Sequence, residues 1–258
     1  MNNKVLSAAE ICSFWSETGK KKGNLPIFKM FYLGIFAGIF IGFGGVSFLT
    51  MTGNIKGDAA ILGKLFGAFM FALGLMLVVF FSAELFTGNC LMPIAVLDKK
   101  ITLKQMLTNW VVVYAGNAVG SYIFAYVMFA SGLFNGEAMK ANMINVAQAK
   151  VSLTFMQVVL RGVLCNVLVV AALWFQSASS DMPGKILAIL FPIAAFTLCG
   201  YEHCVANMFM IPLGQLLGAE ITFAQCWISN IIPSTIGNII GGALVVAVPM
   251  YYTYLHKK

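Results

Sequence analysis

Six long apolar stretches, near 28–51, 60–97, 104–131, 152–176, 184–217 and 222–255, constrain this chain more than any other feature of its sequence. An α-helix needs about 20 apolar residues to cross the hydrocarbon of a bilayer, and backbone polar groups at that depth must find partners within the protein. The 258 residues are 60% hydrophobic and 10% charged, which leaves no room for a soluble domain of ordinary composition. The expectation is a single all-α integral membrane domain over residues 25–258, preceded by a short segment, 1–24. In that segment Val5, Ala8, Cys12 and Trp15 recur at helical spacing, which fits either an amphipathic helix at the membrane surface or a solvated tail. It lacks the basic start, apolar core and small-residue cleavage site of a secretory signal.

The second and fifth stretches are too long for one straight crossing. Thr87, Gly88, Asn89 and Pro93 interrupt the one, and Gly200, Asn207 and Pro212 the other, so both are expected to be broken helices. An internal repeat supports this map. Glu84-x4-Asn89-x2-Met92-Pro93 matches Glu202-x4-Asn207-x2-Met210 at an offset of 118 residues. Asn109-x6-Gly116-Asn117-x2-Gly120 matches Asn230-x6-Gly237-Asn238-x2-Gly241 at an offset of 121. Three crossings per copy turn the second copy upside down relative to the first, giving inverted repeats at about 28–131 and 152–255. In that plan the solute path runs between the repeats, at the broken helices. The paired glycines Gly38 and Gly42, Gly116 and Gly120, and Gly237 and Gly241 read as sites of close helix packing.

The net charge of +7 sits in lysines at the ends of apolar runs, not in a basic stripe with interleaved aromatics, which argues against nucleic acid as a partner. Eleven lysines (Lys4, Lys20, Lys21, Lys22, Lys29, Lys99, Lys100, Lys104, Lys185, Lys257, Lys258) fall on one side of the membrane and four (Lys56, Lys64, Lys140, Lys150) on the other. The excess marks the inner side, so both termini are expected to be cytoplasmic and the protein to reside in the cytoplasmic membrane. The six cysteines form no C-x-x-C pair or metal-like spacing and read as small buried hydrophobes, so neither a metal nor another cofactor is called for.

Glu84, Glu202, His203 and Arg161 stand within or at the edge of apolar runs, where an ionised group costs about 2.5–3.5 kcal/mol. The two glutamates occupy equivalent repeat positions and read as structural, accepting N–H groups freed where the helix unwinds. His203 has no such mate, because Leu85 stands at its place in the first copy. It is therefore the candidate for chemistry: proton donation, or a hydrogen bond to an anion near neutral pH. Thr87 offers a hydroxyl to the same volume. Lys150 precedes the fourth crossing, either as an anion-attracting charge in a vestibule or as an ordinary interfacial lysine. Cys204 beside His203 raises a membrane thiol or hydrolytic enzyme, but neighbours on one helix point about 100° apart, so no enzyme is expected. A neutral-solute channel of aquaporin type shares the repeat plan, yet the paired Asn-Pro-Ala triplets are absent.

The run Gly200-Tyr201-Glu202-His203-Cys204-Val205-Ala206-Asn207-Met208-Phe209-Met210-Ile211-Pro212 closely resembles the signature of the formate/nitrite transporter family. Glu84-Leu85-Phe86-Thr87-Gly88-Asn89 resembles its companion motif, and Ile236-Gly237-Asn238-Ile239-Ile240-Gly241-Gly242 the family's last helix. The resemblance spans nearly the whole chain and is strongest to the hydrosulfide-conducting branch. It implies an aquaporin-like fold assembled as a homopentamer, with one pore per protomer for formate, nitrite or hydrosulfide. It further implies two apolar constrictions made by Phe71, Leu75, Phe86, Val169 and Phe196, with Thr87, His203, Asn166 and Asn207 between or beside them and Lys150 drawing anions to the outer mouth. The family more often has Phe where Tyr201 stands and Ser where Cys204 stands, so polarity beside the histidine differs here. A hydrated anion cannot cross two greasy rings unless its charge is neutralised, so passage of the acid form, with His203 as transient proton donor and flux dependent on pH, is the expected mechanism.

Overall fold

A computed structural model describes residues 5–256 and is helical throughout, with no strand among them. Lys4, Lys257 and Lys258, counted in the charge asymmetry, lie outside the described residues. In chain order the helices are α1 (Ala8–Gly23), α2 (Ile27–Asn54), α3 (Ala60–Phe80), α4 (Phe86–Leu97, with a turn after Asn89), α5 (Leu103–Ala130), α6 (Glu137–Val151), α7 (Phe155–Ala178), α8 (Met182–Cys199), α9 (Cys204–Leu216) and α10 (Phe223–Tyr254). Six of these, α2, α3, α5, α7, α8 and α10, are long and apolar enough to cross a membrane.

Capping residues set several of the starts. Ser7 with Glu10, Thr102 with Gln105, Thr154 with Gln157 and Thr222 with Gln225 form reciprocal capping boxes at α1, α5, α7 and α10. Helix α10 holds two π-helical stretches, Cys226–Ile231 and Ile240–Ala247. The two expected breaks are present: the first falls a few residues ahead of Thr87, and the second at Gly200, one of the interrupting residues. The chain leaves α3 after Phe80, turns through Ser82 at φ 53° and re-enters a helix at Phe86; in the second copy it turns through Gly200 at φ 72° and re-enters at Cys204. Thr87, Gly88 and Asn89 therefore sit in the first turn of α4, while Asn207 and Pro212 lie inside α9.

The repeat is wider than three crossings per copy. Five helices, α1 to α5, are followed by five that mirror them, α6 to α10, so α1 and α6 are mates lying ahead of the first crossing of each copy. Both ends of the described chain share one face of the molecule: Cys12 Sγ donates to the Met250 carbonyl, and Leu6 N–H to the Ala178 carbonyl. Helix α1 is no free tail. It buries Ile11, Cys12, Trp15, Ser16 and Gly19 against the rest of the protein, Trp15 Nε1 donates to Ser177 Oγ at 3.1 Å, and Ser16 Oγ donates to Asp98 at 2.6 Å.

Glycine permits the close approaches within each copy. A methyl group added at Gly38 on α2 would overlap the Asn117 carbonyl of α5, and one at Gly241 on α10 would overlap the Val163 carbonyl of α7. The exterior is apolar, with Phe28, Ile61, Phe66, Val111, Phe191 and Leu244 exposed, whereas the buried polar groups gather at the centre. That distribution inverts a soluble protein's and suits a lipid surround. Five of the six cysteines are buried as expected, and Cys199 is exposed.

Candidate functional site

The first turns of α4 and α9 meet at the centre of the molecule, and two asparagines hold them. Asn117 Oδ1 accepts the Phe86 N–H at 2.9 Å while its Nδ2 donates to the Gly34 and Glu84 carbonyls. Asn238 repeats each bond in the second copy, accepting the Cys204 N–H at 2.9 Å and donating to the Gly162 and Glu202 carbonyls. Orphan N–H groups at a helix start need acceptors, and here the asparagines supply them, not the glutamates expected for that task.

The glutamates do something else. Glu84 accepts from Lys22 Nζ at 2.7 Å and from Asn89 Nδ2 at 2.8 Å. Glu202 accepts from Lys150 Nζ at 3.1 and 3.2 Å, from Asn207 Nδ2 at 2.6 Å and from Asn230 Nδ2 at 3.1 Å. Asn89 also donates to Asn109, and Asn207 to Asn230. The two networks are near copies, so Lys22 is the mate of Lys150. Their compensation for burial is a lysine each, with one asparagine at Glu84 and two at Glu202, the arrangement a desolvated carboxylate requires.

His203 is the N-cap of α9, its Nδ1 accepting the Ala206 N–H at 3.0 Å. A neutral imidazole carries one proton, so with Nδ1 accepting, that proton is on Nε2, which lies 2.9 Å from Thr87 Oγ1. Nε2–H thus donates to Thr87, leaving the threonine's own hydrogen free to point elsewhere. A second proton on the ring would have to occupy Nδ1 and face the Ala206 N–H. The ring stacks on Phe196, with centroids 6.0 Å apart and planes 16° from parallel, and Phe196 meets Phe71 edge-on at 5.6 Å.

Around this pair lies a cavity of about 10 Å³ lined by Ile41, Phe71, Leu75, Leu85, Val169, Ile193, Phe196 and His203. That volume admits roughly one water molecule, far less than a hydrated ion. On either side is a vestibule. One, of about 470 Å³, is lined by Lys21, Lys22, Lys185 and Glu84 among others; the second, of about 310 Å³, by Lys64, Lys150, Arg161 and Glu202 with His203 at its floor. Each vestibule therefore pairs three cations with one carboxylate.

Of the residues expected in the path, Phe71, Leu75, Val169, Phe196 and His203 converge on the small cavity, and Thr87 touches it through the histidine. Lys150 and Asn207 line a vestibule. Phe86 lies elsewhere: its ring packs edge-on against Tyr114 and Trp110, with centroids at 4.9 and 5.9 Å, in a lateral hollow, and Leu85 occupies the constriction instead. Successive residues at the start of a half-helix point in different directions, which decides between them. Asn166 stands behind Thr87, its Nδ2 donating to the Thr87 and Asn238 carbonyls at 3.2 and 2.7 Å, where it fixes the backbone that presents the threonine. Leu85, Ile41 and Ile193 were not foreseen, since apolar residues in apolar runs carry no contrast. Lys22 could have been found by aligning the segments of α1 and α6.

Comparison with known proteins agrees with this geometry. A family description, formate/nitrite transporter, matches residues 9–252. The chain is 40% identical to a protein of Methanothermobacter thermautotrophicus described as "Probable formate transporter", over 100% of both chains. Among solved structures it is similar to a "Pentameric formate channel with formate bound" (33% identity, TM-score 0.79, 89% of this chain and 98% of that one) and to an "FNT family ion channel" (26% identity, TM-score 0.84, 94% and 98%).

Proposed function

The chain belongs to the formate/nitrite transporter family, and on that premise we propose that it is a channel or facilitator for small monovalent anions of weak acids, namely formate, nitrite and hydrosulfide. The carrying observation is the central cavity: room for about one water, apolar walls broken by His203, with Thr87 hydrogen-bonded behind it, between two cation-rich vestibules.

The vestibule cations gather the anion by raising its local concentration. Apolar walls then refuse the charged form, because desolvating a small ion without a fixed counter-charge costs far more than desolvating the neutral acid. The species that crosses is the acid, neutralised by a proton from vestibule water and held in transit by the Thr87 hydroxyl. His203 keeps that hydroxyl in place through Nε2–H. With Nδ1 committed to Ala206, the histidine serves as an oriented donor and not as a site that cycles through the imidazolium. Flux should then rise steadily as pH falls, following the fraction of neutral acid. The inner side is the one carrying Lys22, from the lysine excess, and the assembly is a homopentamer, from the relative whose structure is described so. Formate has the support of similar proteins so described, and hydrosulfide that of the sequence resemblance.

The test is uptake by proteoliposomes of formate, nitrite and hydrosulfide from pH 5 to 8, for the wild type and His203→Phe. Uptake of at least one of these above empty liposomes, cut about tenfold or more in His203→Phe, is the expected result. Glycerol or water flux without anion-linked uptake would overturn the reading in favour of a neutral-solute channel.

A further inference from the structure

Arg161 is a vestibule cation to which the transport reading gives no role of its own beyond attracting anions. It lies two turns into α7, half-buried, in the wall of the vestibule that ends at His203. Its backbone is fixed there, since the Glu202 N–H at the break donates to the Arg161 carbonyl at 3.3 Å. The corresponding bond in the first copy runs from the Glu84 N–H to the Leu33 carbonyl, also at 3.3 Å, so Leu33 is the mate of Arg161. A guanidinium lines one vestibule, while the equivalent place in the first copy holds a leucine and no arginine lines the other vestibule.

The side chain of Arg161 has no carboxylate within ion-pair distance and makes no hydrogen bond among the described residues. Lys150 differs in this respect. Both oxygens of Glu202 engage its ammonium, so its charge is locally offset and its donors are partly used. Lys64 is exposed, a hydrated point charge at the rim. The uncommitted, half-buried cation lining this vestibule is therefore Arg161. A guanidinium presents parallel N–H groups in a planar fork, which matches a planar anion with two oxygens on one atom and gives no such match to an anion centred on a single sulfur.

Resting on the transport reading, we infer that Arg161 is the anion-selecting residue of the Lys150 vestibule, binding carboxylate or nitrite through paired hydrogen bonds before the solute reaches His203. Because Leu33 replaces it across the repeat, the selection acts from one side only.

The experiment uses full-length protein reconstituted in one orientation, with initial rates measured against formate and hydrosulfide concentration from each side, for wild type, R161K and R161Q. R161K keeps the charge and removes the fork. It should raise the half-saturating formate concentration about tenfold from the Lys150 side, leave the maximal rate within twofold, and leave hydrosulfide unchanged. From the Lys22 side, formate half-saturation should not move. R161Q, which also removes the charge, should weaken formate from the Lys150 side at least as much. A defect in R161K that is equal for both anions or equal from both sides would mark a structural role and overturn the inference, as would unchanged formate kinetics in both variants. Wild-type protein with no anion flux would instead remove the transport reading, and this inference with it.

Discussion

With Nδ1 held by the Ala206 N–H, the chemistry of His203 passes through Nε2 and hence through Thr87. Thr87→Val keeps the shape and removes the hydroxyl, so it should lower anion uptake about tenfold, the loss of one well-oriented hydrogen bond to a solute that has shed its water. Thr87→Ser should retain most of the flux. Equal defects in the two variants, measured as initial uptake rates at matched protein density, would mean that the methyl group and not the hydroxyl matters. The histidine stood out in the sequence because its repeat mate is a leucine, and Thr87 because it puts a hydroxyl at the break of the first copy. Leu85 did not stand out. Nothing in composition distinguishes it from Phe86, and only the direction in which each leaves the start of α4 puts one in the constriction and the other beside Tyr114.

At the scale of elements, the half-helices depend on Asn117 and Asn238, each of which closes three buried hydrogen bonds at a break. Asn238→Leu strands the Cys204 N–H and two carbonyls, and should cost about 3 kcal/mol, read as a lowered unfolding temperature in detergent. The spacing showed these asparagines to be repeat mates, but not what they bond, because their partners are backbone groups far along the chain. Lys22 escaped notice for a different reason. It lies 128 positions before Lys150, whereas the motifs recur at 118 and 121, so unequal loops displace it from the register in which the repeat is visible. Helix α1, which carries Lys22, is further pinned by Lys100, whose ammonium pairs with Glu17 and Asp98. The Lys100 hydrogen bond holds the Glu17 carboxyl below its ordinary range. A depressed carboxylate contributes stability at neutral pH and loses it as pH falls through the depressed value. Protection of the α1 amides, referred to the intrinsic exchange rate at each pH, should therefore fall on acidification below about pH 4. In Lys100→Ala that protection should already be reduced at pH 7, and an α1 indifferent to both changes would show that its apolar face alone docks it.

For the whole molecule, the two copies make a path that is nearly symmetric in charge and asymmetric in chemistry. Each vestibule has a lysine bound to a glutamate and two further cations, yet only the second copy supplies a histidine at its floor and an arginine on its wall. Six crossings and the inversion were legible from hydropathy and the doubled motifs, since both are properties of long segments. The width of the constriction was not, because it depends on how side chains from α2, α3, α4, α7 and α8 close on one another. That closure to about the volume of one water is the basis for holding that the solute crosses uncharged. Internal pH reports this most directly. Proteoliposomes carrying a trapped pH indicator, clamped at zero membrane potential and given external formate at pH 6, should acidify faster than empty vesicles, one proton entering with each formate. Formate entry at the same rate without acidification, accompanied by a current, would show that the anion itself crosses and would contradict the account.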